Sequence, residues 1–164
     1  MMSKSVPMTA RSLFKLKRIP VPIDFSGCSK KALQYAIPLA EAHQAAITLL
    51  FVVPPPYGTD ELVGIDYPQV EQTMCANGKD ELEKLRSAEV RTDAPMGTMV
   101  GVGSPAFSIL DAAGKLSADL ILSSAHGRTG LRHVFLGSVA EQIVQRAPCP
   151  VFVVREREHE ILDS

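Results

Sequence analysis

Cysteine is scarce in this sequence, and the three that occur are scattered. Cys28, Cys75 and Cys149 show no CxxC spacing, which argues against a zinc site and against the disulfide framework of a small secreted domain. An odd number of unpaired thiols suits a reducing compartment, so we expect the protein to be cytoplasmic. Internal repeats and low-complexity segments are absent as well.

An excess of charge of one sign is also lacking. The 17 Lys and Arg residues are balanced by 18 Asp and Glu residues, for a formal net charge of -1. This balance gives no electrostatic reason to expect a nucleic acid or an anionic membrane as a partner. The first 17 residues are polar and basic without a continuous apolar run, so they predict neither a signal peptide nor a transmembrane segment.

Signatures of fast catalysis are missing too. The sequence has no GxxxxGK[ST] loop, no kinase signature set, no GxSxG elbow and no HExxH pair. Without a base beside a positioned water, efficient hydrolysis has no visible agent. We therefore predict no catalytic residue and slow turnover at most.

What the sequence does contain is an alternation of apolar segments with amphipathic helices. Its 164 residues suffice for one domain with a real core, and we assign residues 1–16 to a flexible leader, 17–155 to the domain and 156–164 to a charged tail. The predicted strands are 19–23, 46–53, 98–102, 119–123 and 151–154. This order is typical of a doubly wound, parallel, five-stranded α/β sheet with helices on both faces.

Several local features mark where the helices begin. Ser26 or Ser29 is predicted to cap the helix after the first strand, and Ser104, followed by a proline, to cap the third helix. Ser138 and Glu141 have the spacing of a capping box at the last helix. Residues 57–78 predict a variable loop in which a short helix could form, and residues 79–88 predict an amphipathic helix.

Ligands of such sheets bind beyond the carboxyl ends of the strands, where the strand order reverses. Asp24 follows the first strand and is placed like the carboxylate that holds ribose hydroxyls in other nucleotide folds. A glycine-containing bend follows the fourth strand, and glycine lets backbone N–H groups approach an anion. Gly137 and Ser138 lie at a helix N-terminus, which favours negative charge. This edge is therefore suited to a phosphate.

The chain from about Lys17 to Arg155 resembles the universal stress protein family nearly throughout. The resemblance rests on motifs in a fixed order: Ile19-Pro-Val-Pro-Ile-Asp-Phe-Ser26, Gly103-Ser-Pro105, His126-Gly-Arg-Thr-Gly130, Leu136-Gly-Ser-Val139 and Ala147-Pro-Cys-Pro-Val-Phe-Val-Val-Arg155. It implies the adenine nucleotide alpha hydrolase-like fold, a role in stress response and a protein partner whose identity is unknown. It also implies a homodimer formed through Val151, Phe152, Val153 and Val154.

The ATP-binding members of that family share a pattern of Gly, two residues, Gly, nine residues, Gly, then Ser or Thr. In this chain Gly127 and Gly137 are separated by nine residues and Ser138 follows. The first glycine of the pattern is replaced by Ser124, whose side chain could crowd the nucleotide or add a hydroxyl contact. The resemblance implies ATP accompanied by Mg²⁺.

The same resemblance implies roles for individual residues. Asp24 would meet the ribose or adenine region, with Ser26 beside it, and the backbone of Val52 would contact the adenine edge. The base pocket would be lined by Pro22 and Ile23. The bend and the last helix would surround the phosphates through Ser123, Ser124, His126, Gly127, Gly137, Ser138 and Val139.

Simpler interpretations stay open beside these. Asp24 and Ser138 could merely cap helices, and Gly127 and Gly137 could be turn glycines only. Three functions follow: an ATP-binding module that signals through a partner surface, a weak ATP hydrolase using the same pocket, and a nucleotide-free dimeric scaffold.

Overall fold

The computed structural model describes residues 15–55, 66–88, 92–127 and 136–157. Within these ranges five strands alternate with four helices, and every strand pairing is parallel. The elements are β1 Arg18–Pro22, α1 Gly27–His43, β2 Ala46–Val53, α2 Tyr67–Ala88, β3 Met96–Val102, α3 Pro105–Lys115, β4 Ile121–Ser124, α4 Ser138–Arg146 and β5 Val151–Val154. No helix in the described part is long and apolar enough to cross a membrane.

The strands run in the order β3, β2, β1, β4, β5 across the molecule. β2 pairs with β1 on one side and with β3 on the other, and β4 pairs with β5. β4 lies beside β1, where the Asp119 N–H donates to the Arg18 carbonyl at 3.0 Å. β2 and β3 thus lie on one side of β1, and β4 and β5 lie on the other. The strand order therefore reverses between β1 and β4.

The two prolines of β1 explain why the predicted continuous sheet is divided into a three-stranded and a two-stranded ladder. The Ile23 N–H donates to the Leu50 carbonyl at 2.8 Å, so the N–H and C=O groups of the odd-numbered residues in this segment point towards β2. Alternation then turns Pro20 and Pro22 towards β4. Because proline has no N–H, β1 cannot return hydrogen bonds to β4 at these positions.

Helices cover both faces of the strands, as the doubly wound prediction requires. α1 and α2 pack on one face, and α3 and α4 pack on the other. The first face buries Ile19, Val21, Leu33, Ala36, Leu49, Leu82 and Leu122. The second face buries Leu50, Val52, Ile109, Ala113, Ile121 and Ile143.

The second helix departs from its prediction. It begins at Tyr67 instead of residue 79, and it takes in part of the predicted loop; residues 56–65 lie outside the described ranges. Only Gly78 and Leu82 of this helix are buried, so its first half carries no apolar stripe for a pattern to detect. Gly78 is buried because the Phe51 ring occupies the space where a side chain would stand.

Candidate functional site

Two polar segments meet at the reversal of strand order between β1 and β4. One is the turn from Asp24 to Ser26 that leads into α1, and the other is the bend that leaves β4 at Ala125. Both lie at the carboxyl ends of their strands, as predicted, which is where parallel α/β sheets place their ligand sites. Residues 128–135 of the bend lie outside the described ranges.

The turn after β1 is held by hydrogen bonds to the Asp24 carboxylate. Phe25 has a left-handed backbone, with φ of 65°, and this conformation reverses the chain sharply enough for Ser26 to face Asp24. Asp24 Oδ1 accepts the Ser26 N–H at 3.0 Å and the Ser26 hydroxyl at 2.5 Å. The Phe25 ring packs on Phe51 with 5.0 Å between ring centroids, which helps to hold the unusual turn in place.

The same turn caps α1. Ser26 is the N-cap, and its hydroxyl oxygen accepts the Ser29 N–H at 3.2 Å, so one of the two predicted caps is confirmed. Ser29 closes the network: its hydroxyl donates to the Ser26 carbonyl at 3.1 Å and accepts the Asp24 N–H at 3.4 Å. Three short polar side chains thus satisfy one another and the first turn of the helix.

The bend after β4 is organised by main-chain hydrogen bonds instead. The Ala125 N–H donates to the Val154 carbonyl at 2.7 Å, and the Gly137 N–H donates to the Ala125 carbonyl at 2.8 Å. Ala125 therefore joins the end of β5 to the start of α4. Ser124 is half-buried and pairs with Val154, whereas Ser123 is 4% exposed and its hydroxyl donates to the Ser124 carbonyl at 3.3 Å.

The predicted capping box at α4 is wrong. Gly137 is the N-cap, with φ of -69° and ψ of 156°, and Ser138 is the first helical residue. The Glu141 N–H donates to the Gly137 carbonyl at 2.9 Å, so a Ser138 side chain inside the helix cannot cap it in the predicted way. The N–H groups of Ser138, Val139 and the next residue have no partner within α4 and point out of its N-terminus.

Two glycines make close approaches that a side chain would obstruct. A Cβ atom on Gly127 would lie 2.9 Å from Asp24 Oδ2, and a Cβ atom on Gly137 would lie 3.2 Å from the Ala125 carbonyl oxygen. The first approach brings the main chain of the bend directly against the β1 carboxylate. The predicted residues Asp24, Gly127 and Gly137 are therefore brought to one edge of the molecule, and half-buried His126 precedes Gly127 in the bend.

The predicted base pocket begins beside this carboxylate. Pro22 is half-buried, and Ile23 and Val52 are 3% and 9% exposed. The Ile23 N–H bonds to the Leu50 carbonyl, and alternation along β2 directs the Val52 main chain to the same side. The chain turns away at Asp24, so Val52 presents its peptide groups just beyond the end of β1.

Among the described residues, no group of three His, Cys, Asp or Glu side chains could hold a metal ion. Cys28 is buried in the first turn of α1, and its thiol lies 3.5 Å from the Val154 carbonyl. Burial raises the pKa of Cys28 and of Cys149. Cys149 is partly buried against the face covered by α3 and α4.

The fold and the site define a class of parallel α/β domains in which polar loops meet at a reversal of strand order. Within that class, a model of the universal stress protein family matches residues 15–155. Universal stress protein MJ0531 of Methanocaldococcus jannaschii is 32% identical over 148 residues, which cover 88% of this chain and 85% of that protein. The chain belongs to the universal stress protein family.

Solved structures agree with this assignment. UspA from Lactobacillus plantarum is 30% identical, with a TM-score of 0.77, and the match covers 87% of this chain and 99% of that one. A universal stress protein in complex with cAMP has a TM-score of 0.64 at 20% identity, covering 86% of this chain and 98% of that one. A universal stress protein from Archaeoglobus fulgidus in complex with dAMP has a TM-score of 0.61 at 21% identity, covering 86% and 99%.

Proposed function

We propose that this chain binds ATP at the carboxyl ends of β1, β2 and β4, and that the bound nucleotide is signalled to a partner protein without fast catalysis. Family membership supports a nucleotide as the ligand, because two relatives of the same fold are solved with cAMP and dAMP. The choice of ATP among adenine nucleotides rests on the glycine spacing from Gly127 to Gly137 and on the hydroxyl of Ser138.

The observation that carries the proposal is the approach of Gly127 to Asp24. A side chain at Gly127 would come within 2.9 Å of Asp24 Oδ2, so it would have to displace the carboxylate or the bend. This arrangement places a hydrogen-bond acceptor for a sugar hydroxyl next to a stretch of backbone that can approach an anion. A nucleotide presents both groups, a sugar hydroxyl and a phosphate.

The phosphates would lie against the start of α4. The Gly137 N–H is already used by the Ala125 carbonyl, so Gly137 contributes a close approach of its Cα. The N–H groups of Ser138 and Val139 then face the anion, assisted by the helix dipole. His126 and Ser124 complete this side, while Ser123, which is buried, supports the strand end through its bond to Ser124.

The adenine would lie on the opposite side of Asp24. Pro22 and Ile23 would provide apolar contacts to the base, and the main chain of Val52 would provide one hydrogen-bond donor and one acceptor to its edge. Adenine presents one donor and one acceptor along its Watson–Crick edge, so a strand end can recognise it without any polar side chain.

Magnesium fits this donor set as a companion of the triphosphate. Mg²⁺ keeps several waters and takes its other ligands from substrate phosphates and one or two carboxylates. The Ser138 hydroxyl at the start of α4 would be its ligand from this chain, while Asp24 is assigned to the sugar. When bound, the cation would neutralise phosphate charge.

A thermal-shift measurement tests the proposal. At a concentration of Mg·ATP about a hundredfold above Kd, binding adds about 2.7 kcal/mol to stability, which raises Tm by roughly 5–10 °C for a chain of this size. Mg·GTP serves as the matched control and should shift Tm far less. A Tm that stays constant at millimolar Mg·ATP would favour the nucleotide-free scaffold, and steady ADP release abolished by Asp24→Ala would favour the weak hydrolase.

We also propose that the protein forms a homodimer through β5. This strand bonds to β4 on one side, and Phe152 is 37% exposed while its ring lies 6.0 Å from that of Tyr35. An apolar edge strand tends to pair with another chain. Sedimentation should give twice the 17.7 kDa chain mass at micromolar concentration, and Val153→Lys should give the monomer; a native monomer would refute the dimer.

A further inference from the structure

The hydroxyl proton of Ser26 is used inside the turn between β1 and α1. It donates its only proton to Asp24 Oδ1 at 2.5 Å and accepts the Ser29 N–H at 3.2 Å. A serine hydroxyl has a single donor, so Ser26 has no proton left for a nucleotide. As a donor, Ser26 can therefore contribute to binding only through the residue that receives its proton.

The residue through which it acts is Asp24. Oδ1 accepts two hydrogen bonds from Ser26, one from the main chain at 3.0 Å and one from the hydroxyl. The terminal torsion of an aspartate is otherwise soft and lets the carboxylate plane rotate. Two donors on one oxygen fix that plane, with the other oxygen, Oδ2, facing Gly127.

We propose that Ser26 is a positioning residue, which orients the Asp24 carboxylate so that Oδ2 accepts a hydrogen bond from a ribose hydroxyl of the bound nucleotide. The inference rests on the proposed nucleotide site and assigns its selectivity for the sugar. A carboxylate oxygen can accept two hydrogen bonds, so the ribose contact adds to those that Asp24 already makes. Ser29 supports the same geometry by accepting the Asp24 N–H at 3.4 Å.

Three substitutions separate positioning from helix capping. Ser26→Thr keeps both the hydroxyl donor and the capping oxygen. Ser26→Asp keeps a good capping oxygen but has no proton to donate and places a like charge beside Asp24. Ser26→Ala loses both, so Ser26→Asp is the informative variant even if Ser26→Ala fails to fold.

Calorimetric titration of each variant with Mg·ATP and with Mg·2′,3′-dideoxy-ATP gives the readout. We expect Ser26→Asp and Ser26→Ala to bind ATP roughly tenfold more weakly, because a charge-assisted hydrogen bond to the ribose is lost. Affinity for dideoxy-ATP, which lacks both ribose hydroxyls, should stay the same. Ser26→Thr should match the native protein for both nucleotides within about twofold.

Two controls complete the design. Ser104→Ala removes the N-cap hydroxyl of α3, which makes no capping hydrogen bond, and should change neither affinity. In an Asp24→Ala background, Ser26→Ala should weaken ATP binding no further, since the two residues act as a unit.

The possible failures are distinguishable. Equal losses for ATP and dideoxy-ATP in Ser26→Asp, or no loss for either, would reduce Ser26 to a helix cap and overturn the inference. Native protein that binds ATP and dideoxy-ATP equally well would overturn it too, while nucleotide binding stands. Native protein that binds neither nucleotide would overturn the proposed function itself.

Discussion

The two chain segments that meet at the candidate site are built by opposite means. At the end of β1, side chains hold the geometry: Asp24, Ser26 and Ser29 bond to one another and to the first turn of α1. After β4, main-chain groups hold it: the Ala125 carbonyl accepts the Gly137 N–H, and Gly127 approaches Asp24 without a side chain. The first segment should therefore be sensitive to which polar group is present, and the second to any added atom.

The largest effect is expected where a charged side chain is removed. Asp24→Ala should weaken Mg·ATP binding by about 2 kcal/mol, or roughly thirtyfold in Kd, because a hydrogen bond to a charged acceptor is lost. Calorimetry measures the change. Asp111→Ala is the matched control, since Asp111 pairs with Lys115 on the exposed side of α3 and should leave Kd as it is. An unchanged Kd for Asp24→Ala would place the sugar elsewhere.

A smaller effect is expected where a single methyl group is added to the bend. Gly127→Ala would bring a Cβ atom to 2.9 Å from Asp24 Oδ2, so the carboxylate or the bend must shift, and Kd for Mg·ATP should rise about tenfold. Gly127 is exposed, so the Tm of the ligand-free protein should change little. Gly114→Ala, where a Cβ atom meets open space, is the control. Equal binding by both variants would show that the bend is not in contact with the ligand.

Ser124 tests the departure from the family pattern, with a smaller effect still. Ser124→Gly should tighten Mg·ATP binding about threefold if the side chain crowds the nucleotide, at a cost of about 0.5–1 kcal/mol in stability from a glycine inside β4. Ser124→Ala keeps the Cβ atom and removes only the hydroxyl. Weaker binding in both variants would mean that the hydroxyl is a ligand contact.

The sequence predicted the strands best where prolines lie at one end of them. β2 and β5 match their predicted ranges residue for residue, because each is a continuous apolar run with prolines at one end. At most a short helix was predicted where the first half of α2 lies, since a helix that buries only Gly78 and Leu82 has no periodic stripe. The sheet is divided beside β1 because Pro20 and Pro22 point towards β4. The sequence could not predict this direction, because it is set by the pairing of β1 with β2.

In the candidate site, the sequence predicted the roles of side chains better than the roles of main-chain groups. Asp24 and Ser26 were predicted because their chemistry lies in their side chains. The role of Ala125 lies in its peptide groups, which every residue possesses, so no pattern could have indicated it. The capping box failed because Ser138 and Glu141 have the same spacing whether the N-cap is Gly137 or Ser138. The close fit of Gly137 against the Ala125 carbonyl selects Gly137.

The smallest expected effect concerns Cys28, whose thiol lies where the two segments meet. It packs at the start of α1 against the Val154 carbonyl, near the main chain of Ala125 and His126.

Burial raises the pKa of the Cys28 thiol above the ordinary value of 9.0, so the folded protein keeps the thiol proton to a higher pH than the unfolded chain does. The resulting stability is fully present below pH 9.0, and it is lost as the pH rises through the higher pKa of the folded state. Tm measured against pH should therefore fall more steeply above pH 9.0 in the native protein than in Cys28→Ser. Parallel curves for the two proteins would mean that the thiol is already solvated, and that the two segments do not close over it.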